Sequence, residues 1–339
     1  MRRFSLAIGA LSICSFLSVG GVDASDIGFR DTKFSDTTRE RTVPVAIWYP
    51  TEDKDAPFTY SGVFPGRAAR DGAIAPGRYP LALISHGTGG NRFNQFHIAE
   101  FLARNGYFVA SIEHPGDRTF DTGDFGTAKN LYNRPRDISF VIDMLLADDA
   151  LAPHVDAQRI VAIGHSAGGF TAIVAAGGRP KLEVLLEYCY QYPGDSLTCP
   201  KDAGEDRGRD PLHVEFISGG VSLKDPRLRA MVVSAPAIGP LFDASGLSDV
   251  TIPVLVFWAG QDGILNGPAN TQFYLDGLSN ATDRPMPSIG HFTFLSICSD
   301  MLRSVAPQIC VDPEGVDRAS VHRTIETETL DFLEHHLGQ

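Results

Sequence analysis

Largely apolar runs of strand length recur along this 339-residue chain, spaced by segments whose apolar positions repeat every three to four residues. The runs are 43–49, 81–84, 107–112, 159–163, 230–233 and 252–258, and each is predicted to be a strand. Helices are predicted between them. Residues 96–105 set Ile98, Phe101 and Leu102 on one face and stop at Gly106. A stronger helical pattern, with Pro135 near its start, places Ile138, Val141, Ile142, Leu145 and Leu146 on one stripe. Residues 170–176 are small and apolar and suit a buried helix; 272–278 and 324–337 are further helices, the last stopped by Gly338. Strands that are apolar throughout, alternating with helices, predict an α/β fold whose parallel sheet is covered on both faces.

Two segments break this rhythm. Residues 51–79 are rich in Pro, Gly and Asp and are predicted as loop. Residues 181–228 separate the helix after Ser166 from the next strand and are predicted as an insertion, either a surface excursion or a lid over the carboxyl end of the sheet.

The first 24 residues are set apart by composition. Arg2 and Arg3 precede an apolar run from Phe4 to Val19, and Val22-Asp23-Ala24 has the small-residue spacing of a signal-peptidase site. Cleavage after Ala24 is predicted, with no membrane anchor retained and a periplasmic or secreted destination. Charge changes the picture by exclusion. The chain carries 29 Lys and Arg against 41 Asp and Glu, a net charge of −12, with no basic run. Nucleic acid is an unsuitable partner for such a surface.

Beyond Cys14 in the leader stand Cys189, Cys199, Cys298 and Cys310, an even number in an exported chain, which favours disulfides. Four cysteines allow three connectivities. The local pairs Cys189–Cys199 and Cys298–Cys310 are the expected ones, with a zinc site as the alternative, disfavoured because no CxxC spacing or His cluster accompanies them.

The candidate chemistry starts at GHSAGG, residues 164–169. Composition alone yields such a GxSxG match in about one chain of this kind in five, so context decides. The context is a predicted buried strand running into the motif and a small-residue helix leaving it, the setting of a nucleophile elbow. Ser166 is the expected nucleophile. A serine hydroxyl needs a base at neutral pH. In this architecture an acid and then a histidine follow the serine, each in a loop after a strand. Asp262 follows the strand 252–258 and is the expected acid, with Asp243 as runner-up. His291 follows a short candidate strand at 284–289, beside Gly290, and is chosen as base over His322, His335 and His336. Oxyanion donors are expected at the N–H of Ala167 and, from the loop HGTGG at 86–90, the N–H of Thr88. His86 and His165 abut glycine turns and read as loop-holding groups, as do Glu113, His114 and Asp117. Phe292, Phe294 and Leu295 suit either an acyl pocket or the core.

With these residues in place, residues 25–339 resemble a serine hydrolase of the α/β-hydrolase fold, and more narrowly the bacterial dienelactone hydrolase-like and platelet-activating factor acetylhydrolase-like esterases. The stretches that carry the likeness are VPVAIWYP (43–50), PLALISHGTGG (80–90), FLARNGYFVASIEHPGD (101–117), RIVAIGHSAGGFTA (159–172), DPRLRAMVVSAPAIGPLF (225–242), VLVFWAGQDGILN (254–266) and GHFTFL (290–295). Dienelactone hydrolases proper use a cysteine where this chain has Ser166. In the acetylhydrolases the acid follows the sixth strand, where this chain has Ser234-Ala235, which favours Asp262. The resemblance implies hydrolysis of a small-molecule ester through an acyl-enzyme, without metal or cofactor. Lipase, phospholipase and polyester hydrolase share the triad. A catalytically silent binding protein is the alternative of another class.

Overall fold

The computed structural model describes residues 26–195, 198–199, 211–265 and 267–338. The expected leader, 1–24, and 200–210 of the expected insertion lie outside them. The strands are β1 Asp26–Asp36, β2 Arg41–Thr51, β3 Ala56–Tyr60, β4 Phe64–Arg70, β5 Tyr79–Ser85, β6 Phe108–Ile112, β7 Val155–His165, β8 Leu228–Ser234, β9 Val254–Ala259 and β10 Ala281–Met286. The helices are α1 Phe96–Arg104, α2 Ala128–Ala147, α3 Ala167–Ala175, α4 Leu182–Gln191, α5 Pro211–Ile217, α6 Ala244–Leu247, α7 Gly267–Gly277, α8 Asp300–Val305 and α9 Arg318–Leu337. One sheet runs β10-β9-β8-β7-β5-β6-β2-β1-β4-β3. From β6 to β10 every pairing is parallel, and β2 pairs antiparallel with both β6 and β1.

Side chains alternate across a strand, so an all-apolar strand feeds two cores. In β5, Leu81 and Leu83 join Ile138, Val141, Ile142 and Leu145 of α2 and Phe170 and Ile173 of α3. Ala82 and Ile84 join Ile98 and Leu102 of α1 and Phe332 and Leu333 of α9 on the opposite face. Each fully buried Leu, Ile, Val or Phe contributes about 1.5–3 kcal/mol. The two cores therefore fix the strand order, and the carboxyl ends of β5, β7 and β9 come to one edge.

Several boundaries differ from expectation. Residues 51–79 are not simply loop: they hold β3 and β4. This hairpin carries Pro57, Pro65 and Gly66, poor strand formers. It is held by packing, with Tyr60 stacked on Phe93 and edge-on to Trp48, and Trp48 Nε1 donating to Tyr60 Oη at 3.0 Å. Strand β1 has no uniform apolar run, yet it pairs with β2 along its whole length. Helix α2 begins at Ala128 under the cap of Thr127, so Pro135 lies inside it and buried Asn130, Arg134 and Asp137 belong to its inner face. Strand β10 starts earlier than 284, its register set by β9 alone. Helix α9 starts at Arg318, so His322 is buried within it rather than in a polar approach to it.

The structure pairs the sulfurs as expected, Cys189 with Cys199 and Cys298 with Cys310. Of the insertion, α4 and α5 are described. The insertion packs on α7: Tyr188 of α4 lies edge-on to Phe273, and Thr198, after α4, accepts from Asn270 Nδ2 at 3.4 Å. No helix among the described residues is long and apolar enough to cross a membrane.

Candidate active site

Strand β7 delivers His165 and then turns at Ser166 with φ 54° and ψ −120°, a conformation that costs on the order of 1–3 kcal/mol for a non-glycine residue. The surroundings over-determine it. Ser166 N–H donates to Ser234 O at 3.0 Å, and Ser166 O accepts from Gly169, Phe170 and Ala237 N–H. Gly164 and Gly168 make the turn possible. A Cβ on Gly164 would overlap the backbone at Gly168, and one on Gly168 the carbonyl of Ser85. Ser166 is 8 % exposed, at the N-terminal end of α3.

The expected acid and base meet. Asp262 follows β9, and its Oδ1 accepts N–H from Ile264 (2.9 Å) and Leu265 (2.8 Å). Its Oδ2 is thereby free for His291 Nδ1, at 2.7 Å. Burial works to raise the Asp262 pKa. The His291 contact and the two backbone donors outweigh it and hold the carboxyl below its usual value. An ionised Asp262 requires the proton on His291 Nδ1, which leaves Nε2 bare as an acceptor. The two loops are stitched together by Gly260 N–H on Met286 O and Gln261 N–H on Ile289 O, both 2.9 Å. Thr293, whose hydroxyl accepts from Gly290 N–H and donates to Asp312, fixes the 3-10 turn His291–Phe294.

Ser166 is brought to this pair through its neighbour. His165 Nε2–H donates to His291 O at 3.0 Å, and the two rings lie 4.8 Å apart. Burial, and then the neighbouring His291, push the His165 pKa down to about 3, so it stays neutral. Ser166 Oγ makes no hydrogen bond to His291 in this conformation; nucleophile–base contacts often tighten only with substrate in place.

The loop expected to supply an oxyanion donor is packed against Ser166: a Cβ on Gly87 would lie 3.2 Å from Ser166 Cβ. Gly87 O accepts from His86 Nδ1 at 2.6 Å and from Gly90 N at 3.1 Å. His86 must therefore carry its proton on Nδ1, and its Nε2 accepts from His114 N–H at 3.1 Å. Burial, with Arg134 beside it, keeps this imidazole neutral by lowering its pKa. Thr88 N–H and Ala167 N–H have no partner among the described hydrogen bonds.

A second Ser–His–Asp chain lies beneath. Ser85 Oγ is 2.9 Å from His114 Nε2, and His114 Nδ1 is 3.0 Å from Asp137 Oδ2. Asp137 also pairs with Arg39 and Arg41. All three residues are buried, Ser85 at 1 % exposure, and the chain of hydrogen bonds ties β5, the loop after β6 and α2 together. Sequence reading missed it, because Asp137 was hidden in a helix pattern. The other candidates are also placed. Glu113 binds Arg92 and Arg118, and Asp117 binds Arg134, so both anchor loops. Asp243 caps α6 and pairs with Lys181, away from His291. His322 stacks on His97 and bonds Thr293 O at 2.9 Å, supporting the turn that carries His291. His335 and His336 are exposed on α9. Phe294 and Leu295 belong to the core; Phe292, half-buried, lies edge-on to His291.

Strand order, elbow and loop placement define an α/β-hydrolase fold. The family model of the prolyl oligopeptidase family matches residues 92–182, the part that includes the elbow. A solved structure, the ferulic acid esterase from Streptomyces cinnamoneus, superposes with a TM-score of 0.60 at 20 % identity, covering 94 % of this chain and 93 % of that one. No curated protein matches the sequence.

Proposed function

We propose that this protein is an exported serine hydrolase of carboxylic esters. The observation that carries this reading is the Asp262–His291 hydrogen bond of 2.7 Å, set beside a serine held in the strained elbow conformation. Ser166 attacks the ester carbonyl as His291 Nε2 takes its proton. The oxyanion is held by Ala167 and Thr88 N–H, and the proton passes to the leaving alcohol. Water, deprotonated by His291, then attacks the acyl-enzyme, and Ser166 leaves with its proton restored. The resemblance to dienelactone hydrolase-like and acetylhydrolase-like esterases supports an ester over an amide. The prolyl oligopeptidase match supports a peptidase as the second reading. Lipase, phospholipase and polyester hydrolase are narrower forms of the first.

The test is a fluorophosphonate probe with peptide mapping, followed by ester and peptide anilide panels. Label on Ser166, and loss of p-nitrophenyl ester hydrolysis in folded Ser166→Ala and His291→Ala, are expected. Label on Ser85, or wild-type rates in either variant, would sink the assignment. Anilide turnover exceeding ester turnover would select the peptidase.

A further inference from the structure

Whether Thr88 N–H can face a developing oxyanion depends on how the Gly87–Thr88 peptide is turned. A peptide unit is planar and trans, so its C=O and N–H point in opposite directions. His86 Nδ1 and Gly90 N hold the Gly87 carbonyl, and Thr88 N–H is thereby aimed the other way. The flanking units are held by the two ends of one ion pair. Arg134 Nη2 donates to His86 O, before this peptide, and Gly89 N–H donates to Asp117 Oδ1 at 2.9 Å, after it. Asp117 Oδ2 and Arg134 Nη1 are 2.6 Å apart, with side chains 0 % and 1 % exposed. Asn130 Nδ2 completes the carboxylate at 2.9 Å.

The same guanidinium reaches the residue that carries the second donor, through its carbonyl. Arg134 Nε donates to Thr171 Oγ1 at 3.0 Å, and that hydroxyl donates to Ala167 O at 2.8 Å. Arg134 is thus tied to the loop that carries Thr88 and, through Thr171, to the carbonyl of the residue after Ser166. A buried ion pair is a poor device for stability alone, since desolvation offsets much of its attraction. Its fixed fork geometry does confer direction.

We propose that Asp117 and Arg134 are a positioning unit that holds Thr88 N–H and Ala167 N–H at the separation an oxyanion requires. This rests on the serine-hydrolase reading above. The unit touches no substrate and acts through the backbone.

The test is kcat per active site titrated with a fluorophosphonate, together with KM for a short p-nitrophenyl ester and the Ki of an alkyl boronic acid. The boronate's tetrahedral adduct on Ser166 occupies the oxyanion hole. In Asp117→Asn, kcat is expected to fall about 10- to 100-fold with KM within about threefold and boronate affinity falling in parallel. Asp117→Asn leaves Arg134 without its partner. If it does not fold, the double variant Asp117→Asn/Arg134→Met, with no buried charge, takes its place and is expected to recover thermal stability without recovering kcat. Wild-type kcat per titrated site in either folded variant, or a loss confined to Tm, overturns the proposal. Absence of titration in the wild type instead overturns the hydrolase reading, a separate result.

Discussion

At the residue scale the site turns on which atom each hydrogen bond leaves free. Backbone N–H groups occupy Asp262 Oδ1, so only Oδ2 meets His291. An asparagine at 262 would keep the shape but could present its NH₂ to Nδ1, which favours the tautomer with the proton on Nε2. Asp262→Asn is therefore expected to lower kcat by about 10³–10⁴ with the fold intact, a loss read by ester kinetics beside circular dichroism. A loss under tenfold would show that orientation of His291 does not depend on the carboxylate. Ser85–His114–Asp137 makes the complementary point. The same three residue types, with a serine–histidine hydrogen bond that Ser166 lacks, lie buried in the core, so geometry alone does not make a catalytic triad.

At the element scale, turns and caps place the strand ends. The β1–β2 hairpin closes over Asp36, whose carboxylate accepts from Thr38 N, Thr38 Oγ1, Arg39 N and Arg39 Nε. Burial opposes ionisation, but these donors, Thr38 and Arg39, lower its pKa to about 2. A carboxyl with a lowered folded pKa binds fewer protons than in the unfolded chain, so it adds stability above the unfolded value. That stability is lost as pH falls through about 2. Asp36→Asn is expected to cost on the order of 2 kcal/mol at pH 7, measured by urea unfolding, with the difference from wild type shrinking between pH 4 and pH 2. A pH-independent difference would place the effect in the turn's hydrogen bonds instead. This hairpin was only partly legible in the sequence. Strand β2 is an apolar run, whereas β1, β3 and β4 mix polar, Pro and Gly positions and are strands because Trp48, Tyr60 and Phe93 pack them.

At the scale of the whole molecule, the two disulfides close local segments of the chain. Cys189–Cys199 closes the turn after α4, and Cys298–Cys310 closes the segment that follows the His291 turn. Each loop spans about a dozen residues, for which closing the unfolded chain contributes about 3 kcal/mol. In the oxidised, folded protein no thiol among these four should react with Ellman's reagent. Cys298→Ser/Cys310→Ser should lower Tm measurably in calorimetry. Four reactive thiols would overturn the pairing. The leader predicted at 1–24 has its own check: exported protein should begin at Ser25 by N-terminal sequencing, and material retaining Met1 would contradict cleavage.

The sequence by itself determined the apolar strands, their alternation with helices and hence a doubly covered parallel sheet. It also determined Ser166, Asp262 and His291 as candidates, because the first two follow apolar strands, the third follows a short candidate strand, and local glycines mark the turns. Periodicity and turn chemistry are local properties, and they survive in a one-dimensional reading. Only the tertiary structure decided that Asp117, Asn130, Arg134 and Asp137 are buried. In sequence they read as loop or helix surface. A charged residue is inside only when a distant partner compensates its desolvation, and Arg134's partners come from β5, α3 and the loop after β6, up to 49 positions away. That partnership is a property of the folded sheet, and it holds the 86–90 loop beside a serine that the sequence had already marked.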